Sequence, residues 1–229
     1  MRSSSLPHAP RRCALGVFLL TFLTFATGTV RAEEGWKTLF DGQSLQGWRN
    51  YGTNVVTGKG WVVEQGVLKK LAKVRGGDLI TERQFDDFVF EWEWRIPAGA
   101  NNGIKYFVRE RGASAIGHEY QMADNAAMSK PQWLTATFYD VLPTTTNATP
   151  RIGEWNQSRL VVRGNHVEHW LNGVLALEYE CGSSAVKSAV AQSKFKNEPQ
   201  FAEKVRGHIL LTDHQDECWF RNLRVKEGQ

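Results

Sequence analysis

A strict alternation of residue types over residues 85–97, FDDFVFEWEWRIP, constrains the fold of this chain more than any other stretch. In an extended strand, successive side chains point to opposite faces. The alternation therefore places a row of large apolar side chains on one face, namely Phe88, Phe90, Trp92, Trp94 and Ile96. Charged residues occupy most of the other face. This pattern predicts a half-buried β-strand that packs an aromatic face against a second layer.

The same period of two recurs between turn residues and predicts a fold made of many short strands. Glycine-containing turns such as RGN and NG tolerate positive φ and separate the strands. The predicted strands fall within residues 60–70 (two strands), 103–110, 118–124 and 158–180 (three strands), with a last hairpin made of residues 208–214 and 218–225. Such spacing is typical of an antiparallel β-sandwich or jelly roll.

Two segments do not follow this pattern. Residues 125–150 are polar and punctuated by proline, which predicts a long excursion from the sheets. Residues 183–205 lack alternation and predict a loop with a short helix. Long excursions in compact β domains often carry function.

Residues 1–32 are predicted to be a signal peptide. Arg11 and Arg12 precede an apolar run over residues 13–26, and VRA over residues 30–32 supplies small residues for cleavage after Ala32. The run is shorter than a membrane span of about 20 residues, so we expect no stable membrane span after cleavage. An uncleaved anchor is the alternative. The remaining residues 33–229 are expected to form one exported domain, secreted or periplasmic.

Charge and cysteine content limit the partners and the cross-links. The predicted leader contains four arginines and no acidic residue, so its removal leaves the basic residues equal in number to the 24 acidic ones. Net charge near zero without a basic cluster excludes nucleic acid as an expected partner. Cys181 and Cys218 remain, and either a disulfide or two separate buried thiols is compatible with export.

The segment GHEYQMADN, residues 117–125, places Glu119 and Gln121 on one side of a predicted strand. Tyr120 and Met122 fall on the other side, which suits a core. The Glu-x-Asp-x-x-Glu motif of laminarinase-type glucanases is absent. The alternation alone leaves two interpretations open: an ordinary half-buried strand and the floor of an active site.

Other acidic and histidine pairs have weaker claims to chemistry. Glu91 and Glu93 lie about 6.5–7 Å apart along one strand face, which suits paired carboxylates in glycoside hydrolysis, but we favour a solvated face. Alternation puts His166 and His169 on opposite faces, so they cannot chelate one ion, and His169 is predicted to be a packed imidazole. Asp213–His214 could contribute metal ligands.

The chain contains nine tryptophans, a content that favours carbohydrate as the ligand. Most fall on predicted core positions. Trp133 and Trp155 lie near predicted loops and are the better candidates for stacking on a sugar.

Several segments, in order, resemble the 3-keto-disaccharide hydrolase domain family. They are residues 35–52 (GWKTLFDGQSLQGWRNYG), 101–108 (NNGIKYFV), 117–125 (GHEYQMADN), 136–141 (ATFYDV), 153–173 (GEWNQSRLVVRGNHVEHWLNG), 193–195 (SKF) and 213–225 (DHQDECWFRNLRV). Thr212, Gln215 and Cys218 depart from the family pattern. The resemblance implies an all-β, concanavalin A-like jelly-roll sandwich of two antiparallel sheets. It also implies a hydrolase that cleaves 3-keto-disaccharides or 3-keto-glycosides.

The implied substrate suggests a mechanism, because a ketone at C3 acidifies the hydrogen on C2 and permits elimination of the C1 oxygen. Such a site needs a base, a cation at the developing enolate and an acid at the leaving oxygen. We expect Glu119 to be the base. The remaining expected site residues are Asn102, Gln121, Asp124, Trp133 and Trp155 as substrate contacts, Lys105 or Arg109 at the enolate, and His169, His214 or Glu154 as the acid.

We expect no cofactor, with a divalent metal ion at the enolate oxygen as the open alternative. The expected partners are the carbohydrate substrate and a sugar 3-dehydrogenase that supplies the ketone. A competing interpretation is a non-catalytic, lectin-like carbohydrate-binding module, because this fold also serves binding proteins.

Overall fold

The computed structural model describes residue 1, residues 34–198 and residues 200–228. The predicted signal peptide and its cleavage after Ala32 lie outside the described residues. Within the described part of the chain, no helix is long and apolar enough to cross a membrane.

Two antiparallel sheets form nearly all of the regular structure. The strands are β1 Trp36–Thr38, β2 Trp48–Asn50, β3 Trp61–Glu64, β4 Val67–Lys70, β5 Leu79–Thr81, β6 Phe88–Arg95, β7 Asn101–Val108, β8 His118–Ala123, β9 Asn156–Arg163, β10 His166–Leu171, β11 Val174–Glu180, β12 His208–Leu211 and β13 Cys218–Glu227. The helix α1 covers Ser184–Ala191, and two 3₁₀ helices cover Asn125–Ala127 and Pro131–Trp133.

The larger sheet has eight strands in the order β11-β10-β9-β6-β13-β4-β3, with β1 paired to β13. The smaller sheet has five strands in the order β2-β5-β12-β7-β8. This arrangement confirms the expected all-β sandwich of two antiparallel sheets.

The core lies between the sheets, where the aromatic row of β6 meets β8. Trp92 and Trp94 are fully buried. The Trp92 ring packs edge-on against Tyr120 with centroids 4.9 Å apart, and the Trp94 indole N–H donates to Ser158 at 2.8 Å. On the outer face of β6, Glu91 and Glu93 accept hydrogen bonds from Arg224 and Arg221. The Glu91–Glu93 face is therefore ion-paired and Glu91 is buried on it, whereas the sequence favoured a solvated face.

The prediction of a last hairpin is wrong. β12 lies between β5 and β7 in the five-stranded sheet, whereas β13 lies between β6 and β4 in the other sheet. Residues 212–217 therefore cross from one sheet to the other. Alternation identifies each strand but does not determine its partner, and a short polar connection serves a sheet-to-sheet crossing as well as a hairpin.

The two irregular segments match their predictions. Residues 125–150 leave the sheets and contain the two 3₁₀ helices. In the second segment, α1 begins after Ser183, whose hydroxyl accepts from the Val186 amide. Cys181 and Cys218 are separate buried thiols, and burial raises the pKa of Cys181 to about 12.

Candidate active site

One row of residues crosses the outer face of the five-stranded sheet and ends in a carboxylate. Ile80, Leu210, Lys105 and Glu119 are successive Cα partners on β5, β12, β7 and β8. Their strand neighbours Ile104 and Tyr120 point the other way, into the core. The period of two predicted from the sequence thus places Lys105 and Glu119 side by side on the face away from the core.

Glu119 is a buried carboxylate with an unsatisfied oxygen. The residue is 3% exposed, and its Oε1 has no hydrogen-bond partner among the described residues. The carboxylate occupies space left by Gly103, since a Cβ added to Gly103 would lie 2.2 Å from Oε1. A buried polar atom without a partner costs free energy. A ligand that donates a hydrogen bond to this oxygen, or a proton that binds to it, would remove that cost.

Three cationic or potentially cationic side chains surround this carboxylate. His214 Nε2 is 3.7 Å from Glu119 Oε1, within ion-pair range but too long for a hydrogen bond. Burial alone would raise the pKa of Glu119, but His214 and the positive charges of Lys105 and Lys194 outweigh it and lower the pKa from its ordinary value. Glu119 is therefore ionised at neutral pH despite its burial.

Lys194 lies near Glu119 because the two irregular segments, residues 125–150 and 183–205, contact each other. Its backbone N–H donates to Asp140 Oδ2 at 2.8 Å, and its ammonium lies 4.1 Å from the centre of the Tyr139 ring. Burial lowers the pKa of Lys194, with Glu119 acting in the opposite direction. Tyr139 in turn donates its backbone N–H to the carbonyl oxygen of Glu119.

His214 is held by the crossing between the sheets. The preceding Asp213 accepts backbone N–H bonds from Gly76 and Gly77 at 2.7 and 2.9 Å, and its other oxygen lies 2.8 Å from the fully buried Lys70 ammonium. The pKa of Asp213 is lowered because these bonds and the Lys70 charge outweigh its burial. Asp213 is an anchor that fixes the backbone from which His214 projects, rather than a free ligand.

A polar cavity of about 820 Å³ opens in front of Glu119, and we call it the Glu119 cavity. Its lining includes Tyr51, Arg75, Asp78, Lys105, Lys194 and Phe195. The cavity thus combines the buried Glu119 carboxylate with several donors and two aromatic rings, which is a suitable arrangement for a hydroxylated ligand.

Two residues that were expected to contact the substrate instead form hydrogen bonds within the protein. Asn102 is fully buried and donates to the carbonyl oxygen of Thr212, while its own oxygen accepts from the Gly103 amide. Gln121 lies on the Glu119 face but is 1% exposed and donates to Asn101. Asn102 therefore ties β7 to the residue that follows β12, and Gln121 ties β8 to β7.

Asp124 and Trp133 belong to the excursion beside the site. Asp124 accepts from the Gly99 and Ala126 amides and caps the first 3₁₀ helix. Trp133 donates its indole N–H to Asp140 at 2.8 Å, and Asp140 also binds the Lys194 amide. Trp133 is therefore linked to the Glu119 cavity through Asp140 but does not line it.

The remaining expected site residues lie elsewhere. His169 is fully buried between the sheets, with its Nε2 2.7 Å from the Tyr106 hydroxyl and its Nδ1 3.0 Å from the Ala136 carbonyl oxygen, which confirms the packed imidazole. Glu154 is exposed in the turn before β9. Trp155 stacks under Arg221 at the outer face of the larger sheet.

Arg109 does not share a face with Lys105, contrary to the alternation. Phe107 has φ 57° and the β7–β12 register shifts beside it, so β7 carries a bulge. Phe107 belongs to the main core, whereas Val108 packs in an outer cluster with Ile80. Because of the extra residue, the side chains after Phe107 lie on the opposite side of the sheet from the one that alternation predicts. Arg109 therefore lines a separate cavity.

Lys194 and Tyr139 were not predicted as site residues. They lie in the segments SKF and ATFYDV, which carry part of the family resemblance, but neither segment shows a strand period that would assign a facing. Among the described residues, no group of three or more His, Cys, Asp and Glu side chains could hold a metal ion.

The fold and the site define a two-sheet jelly roll with one ionised, buried carboxylate in a polar cavity. Residues 35–226 match the profile of the 3-keto-α-glucoside-1,2-lyase-like domain. The chain belongs to this family, the 3-keto-disaccharide hydrolase domain family. A Bacteroides thetaiotaomicron protein named 3-keto-disaccharide hydrolase is 31% identical over 228 residues, covering 84% of this chain and 78% of that protein.

Solved structures show the same fold. A protein from Parabacteroides distasonis, described as a candidate glycosyl hydrolase, superposes with a TM-score of 0.77 at 27% identity, covering 86% of this chain and 95% of that one. A second protein from the same organism, described in the same way, has a TM-score of 0.65 at 23% identity, with 84% and 99% coverage.

Proposed function

We propose that this protein cleaves the glycosidic bond of 3-keto-disaccharides or other 3-keto-glycosides. The observation that carries the proposal is the Glu119 carboxylate, which is buried, ionised and unsatisfied at one oxygen, beside two lysines and a histidine. The relative named a hydrolase supports cleavage of the glycosidic bond, and the family description that names a lyase supports elimination as the first step.

Glu119 is assigned as the base that removes the proton from C2 of the keto sugar. The C2–H electrons form the C1–C2 double bond by way of an enolate at the C3 oxygen, and the glycosidic oxygen leaves C1 as an alcohol. Water then adds across the resulting enone, with its oxygen at C1 and a proton at C2. The sum is hydrolysis, and it does not require paired carboxylates.

The cations beside Glu119 supply the other roles. Lys105 and Lys194 can stabilise the negative charge that develops on the enolate oxygen, because a fixed positive charge in a partly dry site interacts strongly with it. His214 is assigned as the acid that protonates the leaving oxygen. It is favoured over His169 and Glu154 because, of these three, only His214 approaches Glu119.

The decisive experiment compares a 3-keto-disaccharide with its unoxidised parent. Glu119→Gln preserves size and removes the base, so we expect loss of cleavage by at least about a hundredfold, within the range for general base catalysis, with an unchanged unfolding midpoint. Gln157→Ala, on the exposed face of β9, is the matched control and should keep full activity.

Retained turnover in Glu119→Gln would remove Glu119 from the base role. Binding of the keto sugar without cleavage by the unaltered protein would favour the lectin-like module instead.

We further propose that the protein is exported, secreted or periplasmic, on the strength of the leader-like residues 1–32, and that a sugar 3-dehydrogenase supplies its substrate. Cell fractionation with amino-terminal sequencing should find the chain outside the cytoplasm and beginning at Glu33. A cytoplasmic chain that still begins at residue 1 would contradict export.

A further inference from the structure

A second cavity adjoins the Glu119 cavity, and we call it the distal cavity. Its volume is about 270 Å³. Ile116 and Glu198 line both cavities. Phe195 lines the Glu119 cavity and Phe201 the distal one, and their rings stack in parallel with centroids 4.0 Å apart. The two cavities are therefore neighbours across a wall made of these side chains.

The wall of the distal cavity is apolar. Phe107, Ile116, Phe201 and Val205 contribute to it. Phe107 and Phe201 are almost fully buried, so their positions are fixed by packing in the core. The wall offers apolar contact to the C–H face of a sugar ring, although the two buried aromatic rings themselves expose little surface.

The rim of the distal cavity carries donors and acceptors in balance. Arg109 and Arg111 contribute guanidinium groups, and neither has an ion pair or hydrogen bond from its side chain within the described part of the chain. Glu198 and Glu203 contribute carboxylates, of which Glu203 pairs with Lys187 at 3.0 Å. Planar donor forks together with carboxylate acceptors can bind adjacent hydroxyl groups, so the rim suits a ligand with several hydroxyl groups.

The bulge at Phe107 is what brings Arg109 to this rim. Without the extra residue, Arg109 would lie on the Lys105 face and point into the Glu119 cavity. Gly207 permits the bulge, since a Cβ there would approach the Phe107 backbone to 2.5 Å. Lys105 therefore lines the Glu119 cavity, whereas Arg109 lines the distal cavity.

We propose that the distal cavity is the subsite for the leaving group and accepts a neutral pyranose, the second sugar of a disaccharide. This assignment rests on the proposed function, in which the keto sugar occupies the Glu119 cavity. In this assignment the glycosidic bond passes beside Ile116 and Glu198, which line both cavities, and Arg109 binds hydroxyl groups of the departing sugar.

The test uses two substrates that share the 3-keto-glucose ring, a 3-keto-disaccharide and the methyl 3-keto-glucoside. Arg109→Ala should lower the ratio of kcat/KM for the disaccharide to that for the methyl glycoside by about tenfold, the equivalent of about 1.4 kcal/mol. Arg111→Ala should shift the ratio in the same direction. Arg163→Ala, at an exposed position at the end of β9, is the matched control and should leave the ratio unchanged.

Thermal unfolding of each variant shows whether the substitution has destabilised the fold. The ratio of the two kcat/KM values for one variant does not depend on the fraction of protein that is folded. Equal losses on both substrates, or no loss on either, would overturn the subsite while leaving the proposed function intact. Absence of turnover of both substrates by the unaltered protein would overturn the proposed function and the subsite with it.

Discussion

At the scale of single residues, the site depends on the space left by one glycine as much as on the side chains around it. Gly103 lies on β7 next to Glu119, and the carboxylate fills the position that a Cβ would take. Its backbone is not in the left-handed region, so the requirement for glycine here arises from space rather than from φ. The sequence pattern NNGIKYFV shows the glycine but gives no sign of what it accommodates.

Gly103→Ala should therefore impair catalysis by displacing Glu119. The Glu119 side chain would have to move by about an ångström, and a displacement of that size can cost about a hundredfold in rate. Steady-state kcat/KM on the keto substrate measures the effect. Gly47→Ala is the matched control, because its φ of 82° strains the backbone but no atom lies within 4 Å of the added Cβ.

In that control we expect lower stability with kcat/KM preserved. Full activity in Gly103→Ala would show that Glu119 can serve from a different position, and it would weaken the assignment of the carboxylate as a positioned base.

At the scale of elements, alternation predicted most of the strands, and it predicted their neighbours where a short turn joins two strands, as in β3-β4, β7-β8 and β9-β10-β11. Alternation located β6 to β11 because each of these strands has one face in the core. It failed at β12 and β13, where it could not tell a hairpin from a crossing between sheets. It also failed after Phe107, where one extra residue reverses the facing of Arg109. Lys194 lies in a segment without any period, so only its spatial position identifies it.

A chain of hydrogen bonds joins four strands across the core. It runs from the Phe201 carbonyl oxygen through His118, Tyr179, Tyr106 and His169 to the carbonyl oxygen of Ala136, with five contacts between 2.6 and 3.0 Å. The strands β7, β8, β10 and β11 each contribute one side chain. The two sheets are thus connected by polar contacts as well as by apolar packing.

Burial of these imidazoles predicts a stability that depends on pH. Desolvation lowers the pKa of His118 to about 3 and that of His169 to about 4, from 6.5 when unfolded. Because the unfolded chain binds protons first, the free energy of unfolding should fall as pH decreases from 6.5 to 5, above the range of the carboxylates. The slope should approach about 1.4 kcal/mol per pH unit for each histidine.

Urea unfolding at several pH values in this interval measures that slope. Four neutral side chains supply only four hydrogens to the five contacts. A profile with about half of the predicted slope near pH 5 would mean that one imidazole carries the fifth hydrogen in the folded protein, and a flat profile would contradict the prediction for both histidines.

At the scale of the whole molecule, β12 and β13 come last in chain order yet lie inside their sheets. Without them, β2-β5 and β7-β8 are separate pairs, and β3-β4 is detached from the four strands β11-β10-β9-β6. Neither sheet can be completed until the final two strands arrive, and the pairings that they make span most of the chain, which slows folding. A polypeptide that emerges amino-terminus first from the ribosome would therefore hold two incomplete sheets until residues 208–227 had followed.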